Sequence, residues 1–206
     1  MTIDEILWAG PVMPVVVIDD AAHAVPLARA LVAGGIRAIE ITLRTGAALD
    51  AIEAIARDVP DAIPGVGTAI TAADVLAALD AGAKFIVSPG MTPALRDAAL
   101  GSGLPFLPGV ATASELMAGL AAGLSAFKFF PAAQAGGIDG LKALGGPFPS
   151  VRFCPTGGVN AANAAAYLAL PNVACVGGSW LAPRETIAAG DFATIERLAR
   201  EASALR

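Results

Sequence analysis

The sequence predicts a (β/α)8 barrel of the TIM type, an α/β fold, with a short N-terminal helix ahead of the first strand. Three observations carry this. Short apolar runs recur eight times, each followed by an alanine-rich amphipathic stretch, and no linker or low-complexity tract interrupts the alternation. Strand–helix alternation of that regularity builds a parallel sheet, and eight units close it. The third observation is length: 206 residues give one barrel domain over 1–206, at about 25 residues per unit. A doubly wound open sheet is the structural alternative, but no G-x-G-x-x-G follows the first run to support it.

The eight strands are expected at 12–18, 38–43, 62–66, 85–88, 105–108, 126–129, 151–154 and 173–176. Helices fill the gaps, for example at 21–33, 47–57 and 71–81. Thr112-Ala-Ser-Glu115 reads as a capping box that opens the helix after the fifth strand, and Thr71-Ala-Ala-Asp74 is a weaker version. Gly34-Gly35, Gly82, Gly103 and Gly123 fall where helices should stop.

Composition excludes several functions. With 13 basic against 18 acidic residues and a net charge of −5, the chain has no footprint for a nucleic-acid backbone. A mean hydropathy of +0.69 raises the question of a membrane. The longest charge-free run, 153–183, is broken by Pro155, Gly157, Gly158, Pro171, Gly177 and Gly178, so no helix of ~20 residues spans it. The acidic start, Met1-Thr-Ile-Asp-Glu5, is unlike a secretory signal, which points to the cytoplasm. Cys154 and Cys175 lie in apolar segments without metal-ligand spacing and read as reduced core residues. One histidine, His23, does not supply an imidazole-based zinc site, so no metal is expected.

Charge inside barrel strands calls for a reason, because both faces are covered. In Ala38-Ile-Glu-Ile-Thr-Leu-Arg44, alternation sends Ile39, Ile41 and Leu43 one way and Glu40, Thr42 and Arg44 the other. Helices coat the outside, so the polar set points inward toward the C-terminal mouth. An internal ion pair alone is a poor reason to bury two charges, since desolvation can cancel the attraction. The sixth strand carries Lys128, one of only three lysines, between Phe127, Phe129 and Phe130, on the face shared by Ala126 and Phe130. Burial disfavours an ammonium ion and can lower a lysine pKa by up to ~3–5 units in extreme cases. A neutral amine is what a Schiff-base nucleophile needs.

Strands seven and eight end in Pro155-Thr-Gly-Gly-Val-Asn160 and Val176-Gly-Gly-Ser-Trp180. Glycine lets backbone N–H groups approach an anion, a following helix adds its positive end, and barrels often hold a phosphate at these two loops. Gly65-Val-Gly-Thr68 and Ser88-Pro-Gly90 add small-residue turns on the same face. His23 and Trp180 read as structural.

Taken in order, Gly10-Pro-Val-Met-Pro-Val15, Ile39-Glu-Ile-Thr-Leu-Arg-Thr45, Gly65-Val-Gly-Thr68, Ser88-Pro-Gly90, Phe127-Lys-Phe-Phe-Pro-Ala132, Arg152-Phe-Cys-Pro-Thr-Gly-Gly158 and Gly177-Gly-Ser-Trp180 span nearly the whole chain. This series resembles the 2-keto-3-deoxy-6-phosphogluconate (KDPG) aldolases, a family also known for 4-hydroxy-2-oxoglutarate aldolase activity. The resemblance implies a class I aldolase, usually a homotrimer, that needs no cofactor and acts on a phosphorylated keto acid. It implies Lys128 as the Schiff-base lysine and Glu40 as the general acid/base. Arg44 and Thr68 would bind the carboxylate of the pyruvate end, and Pro89 and Phe130 would line the pocket around the imine. Thr156 would face the substrate hydroxyls, while Gly157, Gly158, Gly178 and Ser179 would receive the distal phosphate. The rival readings are an aldolase for the 6-phosphogalactonate epimer and a phosphosugar isomerase or epimerase, whose barrels share such phosphate loops. The latter would form no covalent adduct with pyruvate.

Overall fold

The computed structural model describes residues 1–206. Nine parallel strands form the barrel wall: β1 (Val12–Val16), β2 (Ala38–Thr42), β3 (Ile63–Gly67), β4 (Ile86–Val87), β5 (Phe106–Leu107), β6 (Gly109–Val110), β7 (Ala126–Phe129), β8 (Arg152–Pro155) and β9 (Val176–Gly178). They hydrogen-bond in two runs, β5-β4-β3-β2-β1-β9 and β6-β7-β8. The runs are continuous through Pro108, which alone separates β5 from β6. At the other seam, bridges Phe153↔Val173 and Thr156↔Gly177 join β8 to the segment carrying β9. The wall therefore closes with eight strand positions.

The fifth position, expected as one strand over 105–108, is broken because proline has no N–H to donate to the ladder. The Pro108 carbonyl still accepts from the Lys128 N–H at 2.9 Å, so closure survives. The eighth strand was expected at 173–176 and lies at Val176–Gly178. Val173 makes only the isolated bridge to Phe153, and pairing with β1 runs on into the glycines, Met13↔Gly177 and Pro14↔Gly178. Glycine at 177 is required by close approach, since a Cβ there would collide with the Thr156 side chain crossing over it.

Around the wall run α1 (Ile3–Leu7), a 3-10 turn (Ala21–His23), α2 (Ala24–Ala33), α3 (Ala48–Asp58), α4 (Ala72–Asp80), α5 (Pro93–Gly101), α6 (Ala113–Ala121), α7 (Gly137–Gly145), α8 (Ala164–Leu168), α9 (Arg184–Ala188) and α10 (Phe192–Ser203). Both expected capping boxes are formed, at Thr71/Asp74 and Thr112/Glu115. Burial opposes the charge on Glu115. Hydrogen bonds from the Ala111 N–H and from the hydroxyl and N–H of Thr112 outweigh it and hold the carboxyl below its ordinary range. Gly35, Gly82, Gly103 and Gly123 all stand at helix ends with left-handed φ, where a side chain would be strained.

The alternation read from the sequence produces two cores. Ile39 and Ile41, fully buried, join Leu27 and Leu31 of α2 and Ile52 and Ile55 of α3 in the ring of apolar side chains between wall and helices. Each such side chain contributes roughly 1.5–3 kcal/mol by leaving water. A separate group fills the barrel itself: Met13, Ala38, Ile63, Phe85, Val87, Leu107, Ala126, Cys154 and Cys175, closed from below by Ile6 and Leu7 of α1. Cys154 and Cys175 are buried free thiols. Hydrogen bonding to Cys154, then burial, holds the Cys175 thiol well above the ordinary range. The interior is thus apolar at the N-terminal end, which confines any polar chemistry to the C-terminal mouth. No helix is long and apolar enough to cross a membrane.

Candidate active site

Lys128 and Glu40, 88 residues apart in the chain, meet inside the barrel with Nζ donating to Oε1 at 3.0 Å. The residues are 5% and 1% exposed, so water screens their interaction little. Strand register fixes both. Glu40 lies between Val15 of β1 and Gly65 of β3, while Lys128 lies between Gly109 of β6 and Cys154 of β8. Glu40 fits only because residue 67 is glycine: a Cβ there would overlap the Glu40 carboxylate and its γ-carbon.

The sequence expectation of an amine among aromatic rings is half of what is found. Phe130 does share the interior with Lys128, its ring centre 5.3 Å from Nζ. Phe127 and Phe129 point the other way, into the outer core. The decisive neighbour is instead the carboxylate of Glu40.

A cavity of about 710 Å³ opens at the C-terminal mouth. It is lined by Arg44, Phe130, Thr156, Gly157, Gly158, Gly178 and Ser179, seven of the residues singled out in the sequence. Phe130 ties the two parts together, since its ring faces both the cavity and Lys128. Four others lie outside this lining: Lys128 and Glu40, buried inside the barrel, and Thr68 and Pro89, at the ends of β3 and β4 on the same face of the barrel. Thr68 is the only non-glycine residue with positive φ, +61°. Such a backbone costs ~1–3 kcal/mol and persists where surrounding structure enforces it, often at functional sites. Pro89 sits in a turn closed by the Ser88 hydroxyl donating to the Gly90 carbonyl at 2.6 Å.

The two glycine turns differ from the expectation in one respect. Helices α8 and α9 that follow them are only five residues long and start several residues downstream, so helix dipoles add little there. The donors are local. Gly157 and Gly158 have φ of +96° and +77°, a conformation open to glycine, and their N–H groups and that of Ser179 donate to nothing within the protein. Unpaired, aligned N–H groups make an anion-binding concavity. At Gly178 the missing side chain makes room for the indole of Trp180, which the sequence marked as structural and which lines the cavity. The sequence reading also passed over Val15, Val17, Arg184 and Glu185 in the lining. An aromatic residue directly after a glycine turn was the one available signal.

The model of the KDPG and KHG aldolase family matches residues 3–198. The chain belongs to that family. It is 54% identical to the 2-dehydro-3-deoxy-phosphogluconate aldolase of Pseudoalteromonas atlantica, over 97% of this chain and 93% of that one. It is 53% identical to the KHG/KDPG aldolase of Escherichia coli with the same coverage. The crystal structure of the KDPG aldolase from Legionella pneumophila, with pyruvate captured as a covalent carbinolamine, superposes with a TM-score of 0.95 at 50% identity, covering 97% of both chains. The barrel is thus the TIM barrel of the KDPG aldolases, and the chain is a carbon–carbon lyase of that family.

Proposed function

We infer that this aldolase cleaves 2-dehydro-3-deoxy-6-phosphogluconate to pyruvate and D-glyceraldehyde 3-phosphate through a Schiff base on Lys128. It cleaves 4-hydroxy-2-oxoglutarate to pyruvate and glyoxylate by the same route. The observation that carries this reading is the buried Lys128 amine at 3.0 Å from Glu40.

The Lys128 amine attacks the C2 ketone to give a carbinolamine. Glu40 supplies the proton with which the hydroxyl leaves as water, and an iminium forms. Glu40, now a carboxylate, removes the C4 hydroxyl proton directly or through a water. The C3–C4 bond breaks, its electron pair flows into the iminium, and the aldehyde departs. Glu40 returns the proton to C3 of the enamine, and water hydrolyses the resulting iminium to pyruvate and free lysine. The buried pair suits one proton shuttled repeatedly over a short path.

Arg44 suits the substrate carboxylate because its planar fork binds both oxygens, and Thr68 adds a hydroxyl at the same end. Pro89 and Phe130 wall the imine. Thr156 faces the substrate hydroxyls, and Gly157, Gly158, Gly178 and Ser179 take the distal phosphate. The subunits assemble as a homotrimer in the cytoplasm. Large apolar side chains left exposed on neighbouring elements, Ile70, Leu76 on α4, Leu100 on α5 and Met117 on α6, support self-association through that side of the barrel.

Borohydride reduction in the presence of pyruvate, followed by intact-mass measurement and peptide mapping, tests the central step. One reduced pyruvate adduct on the peptide carrying Lys128 is expected. No adduct overturns the assignment and favours the isomerase reading, whereas an adduct on Lys84 or Lys142 keeps the Schiff base and removes Lys128 from it.

A further inference from the structure

The cavity lining contains two cationic side chains, Arg44 and Arg184. In the reading above, on which this inference rests, Arg44 serves the carboxylate of the pyruvate end. A substrate with a second anion at its far end then meets turns that offer backbone N–H groups but no charge. Arg184 is the one cation in the lining left to supply it.

Arg184 is already engaged. It is the first residue of α9, and its Nε and Nη2 donate to the two carboxylate oxygens of Asp19 at 2.6 and 2.5 Å. Asp19 lies three residues beyond β1, close in the chain to Val15 and Val17 of the cavity wall. The pair therefore ties the loop after β1 to the start of α9 at the mouth. Both side chains are exposed, 62% and 45%, where such a pair gains little over water and exchanges partners readily. Glu185, the next residue, also lines the cavity. Asp19 and Glu185 against the single charge of Arg184 leave this stretch net negative, which opposes an incoming phosphate until Arg184 turns toward it.

We propose that Arg184 is a further substrate-binding residue, a counter-charge for the distal phosphate, and that Asp19 competes with that phosphate for its guanidinium. A dianionic phosphate outbids a single carboxylate for the same fork of donors. Arg184 then sets the preference for phosphorylated over unphosphorylated aldols, and Asp19 limits it.

The two residues differ in the sign of their removal, which separates this role from that of a plain structural clasp. The measured quantity is the ratio of kcat/KM for 2-dehydro-3-deoxy-6-phosphogluconate to that for 4-hydroxy-2-oxoglutarate, with inorganic phosphate as a competing ligand. Arg184→Ala lowers the ratio about tenfold, through KM, and weakens inhibition by phosphate, as expected for one lost charge-assisted contact. Arg184→Lys, which keeps the charge and loses the fork, falls between. Asp19→Asn raises the ratio a few-fold and strengthens inhibition by phosphate. The double variant behaves like Arg184→Ala. If Arg184→Ala and Asp19→Asn change the ratio in the same direction, or if Arg184→Ala leaves it unchanged, the proposal is overturned while the glycine-turn reading stands. A wild-type enzyme with no preference for the phosphorylated substrate and no inhibition by phosphate overturns both.

Discussion

Two cation–carboxylate pairs adjoin the cavity, one through Phe130 and one through Arg184, and a short contact is almost all they share. Lys128–Glu40 is buried, joins two strands across the barrel, and meets at 3.0 Å. Asp19–Arg184 is exposed, joins a loop to the first residue of α9, and meets at 2.5 Å. Distance does not rank them; surroundings do. In the interior each charge has been stripped of water, so each depends on the other and a proton moving between them changes much. At the rim water replaces either partner at small cost, so that pair is suited to letting go. On the proposed reading, covalent chemistry falls to the buried pair and recognition of the far end to the exposed one.

The largest effect that this contrast predicts is for Lys128→Met. Cleavage falls by ~10⁴-fold or more, because no other group is placed to form the imine. Stability falls as well, by about 3–5 kcal/mol, since Glu40 is left as an unpaired buried carboxylate. Adding Glu40→Gln to that variant recovers part of the loss in a urea titration, while removing Arg184 leaves the midpoint nearly where it was. Equal destabilisation by the two single changes, Lys128→Met and Arg184→Ala, erases the distinction between the pairs.

Glu40→Gln alone comes next. The amide still accepts a hydrogen bond from Lys128 but takes up no proton, so C–C cleavage slows by ~10²–10⁴-fold. Trapping of the pyruvate imine persists, because an amine still faces the ketone. Rapid-quench cleavage rates set beside borohydride trapping give both numbers, and near-normal turnover removes Glu40 from the proton transfer. Gly67→Ala is the indirect version. The added methyl occupies the place of the Glu40 carboxylate and displaces it, and a misplacement of about an ångström costs ~10²-fold in kcat. A rate within twofold of wild type shows that the position of Glu40 is held by something other than the space over Gly67.

The same contrast explains what the sequence made legible. Glu40 and Lys128 stand out because period-2 alternation within an apolar strand leaves a charge nowhere to go but inward, and Arg44 follows from the same count. Thr156 and the glycines were visible as turns at two loops that open on one mouth. The displacement of β9 to Val176–Gly178 was not visible, because glycines that look like a turn are there to let Thr156 and Trp180 cross the strand. The missing N–H of Pro108 is legible in the sequence, but the split into β5 and β6 within one closed wall depends on the neighbouring strands. The side chain facing Lys128 was also out of reach: an inward residue's partner across a barrel is set by closure, which local pattern does not encode. Asp19 and Arg184 were the least visible, as exposed charges 165 residues apart, one in a loop and one opening a short helix, give no periodic signal.

The smallest effect concerns salt. Raising ionic strength from about 0.05 to about 0.5 M shortens the screening length from over 10 Å to a few ångströms, which weakens exposed charge contacts and barely touches buried ones. KM for the phosphorylated aldol should rise a few-fold, while kcat and the rate of imine trapping with saturating pyruvate stay constant. Titration of the rim pair does not confuse the result near neutrality. The hydrogen bond from Arg184 holds the Asp19 carboxyl below its ordinary 3.8, so the pair is fully charged above that value and is lost only as pH falls through the lowered one. A salt series at pH 7.5 therefore reads screening alone. A KM indifferent to salt assigns recognition of the far end to the uncharged N–H groups of Gly157, Gly158 and Ser179. A kcat that falls with salt instead places a screened charge at the chemical step, where the geometry of Lys128 and Glu40 admits none.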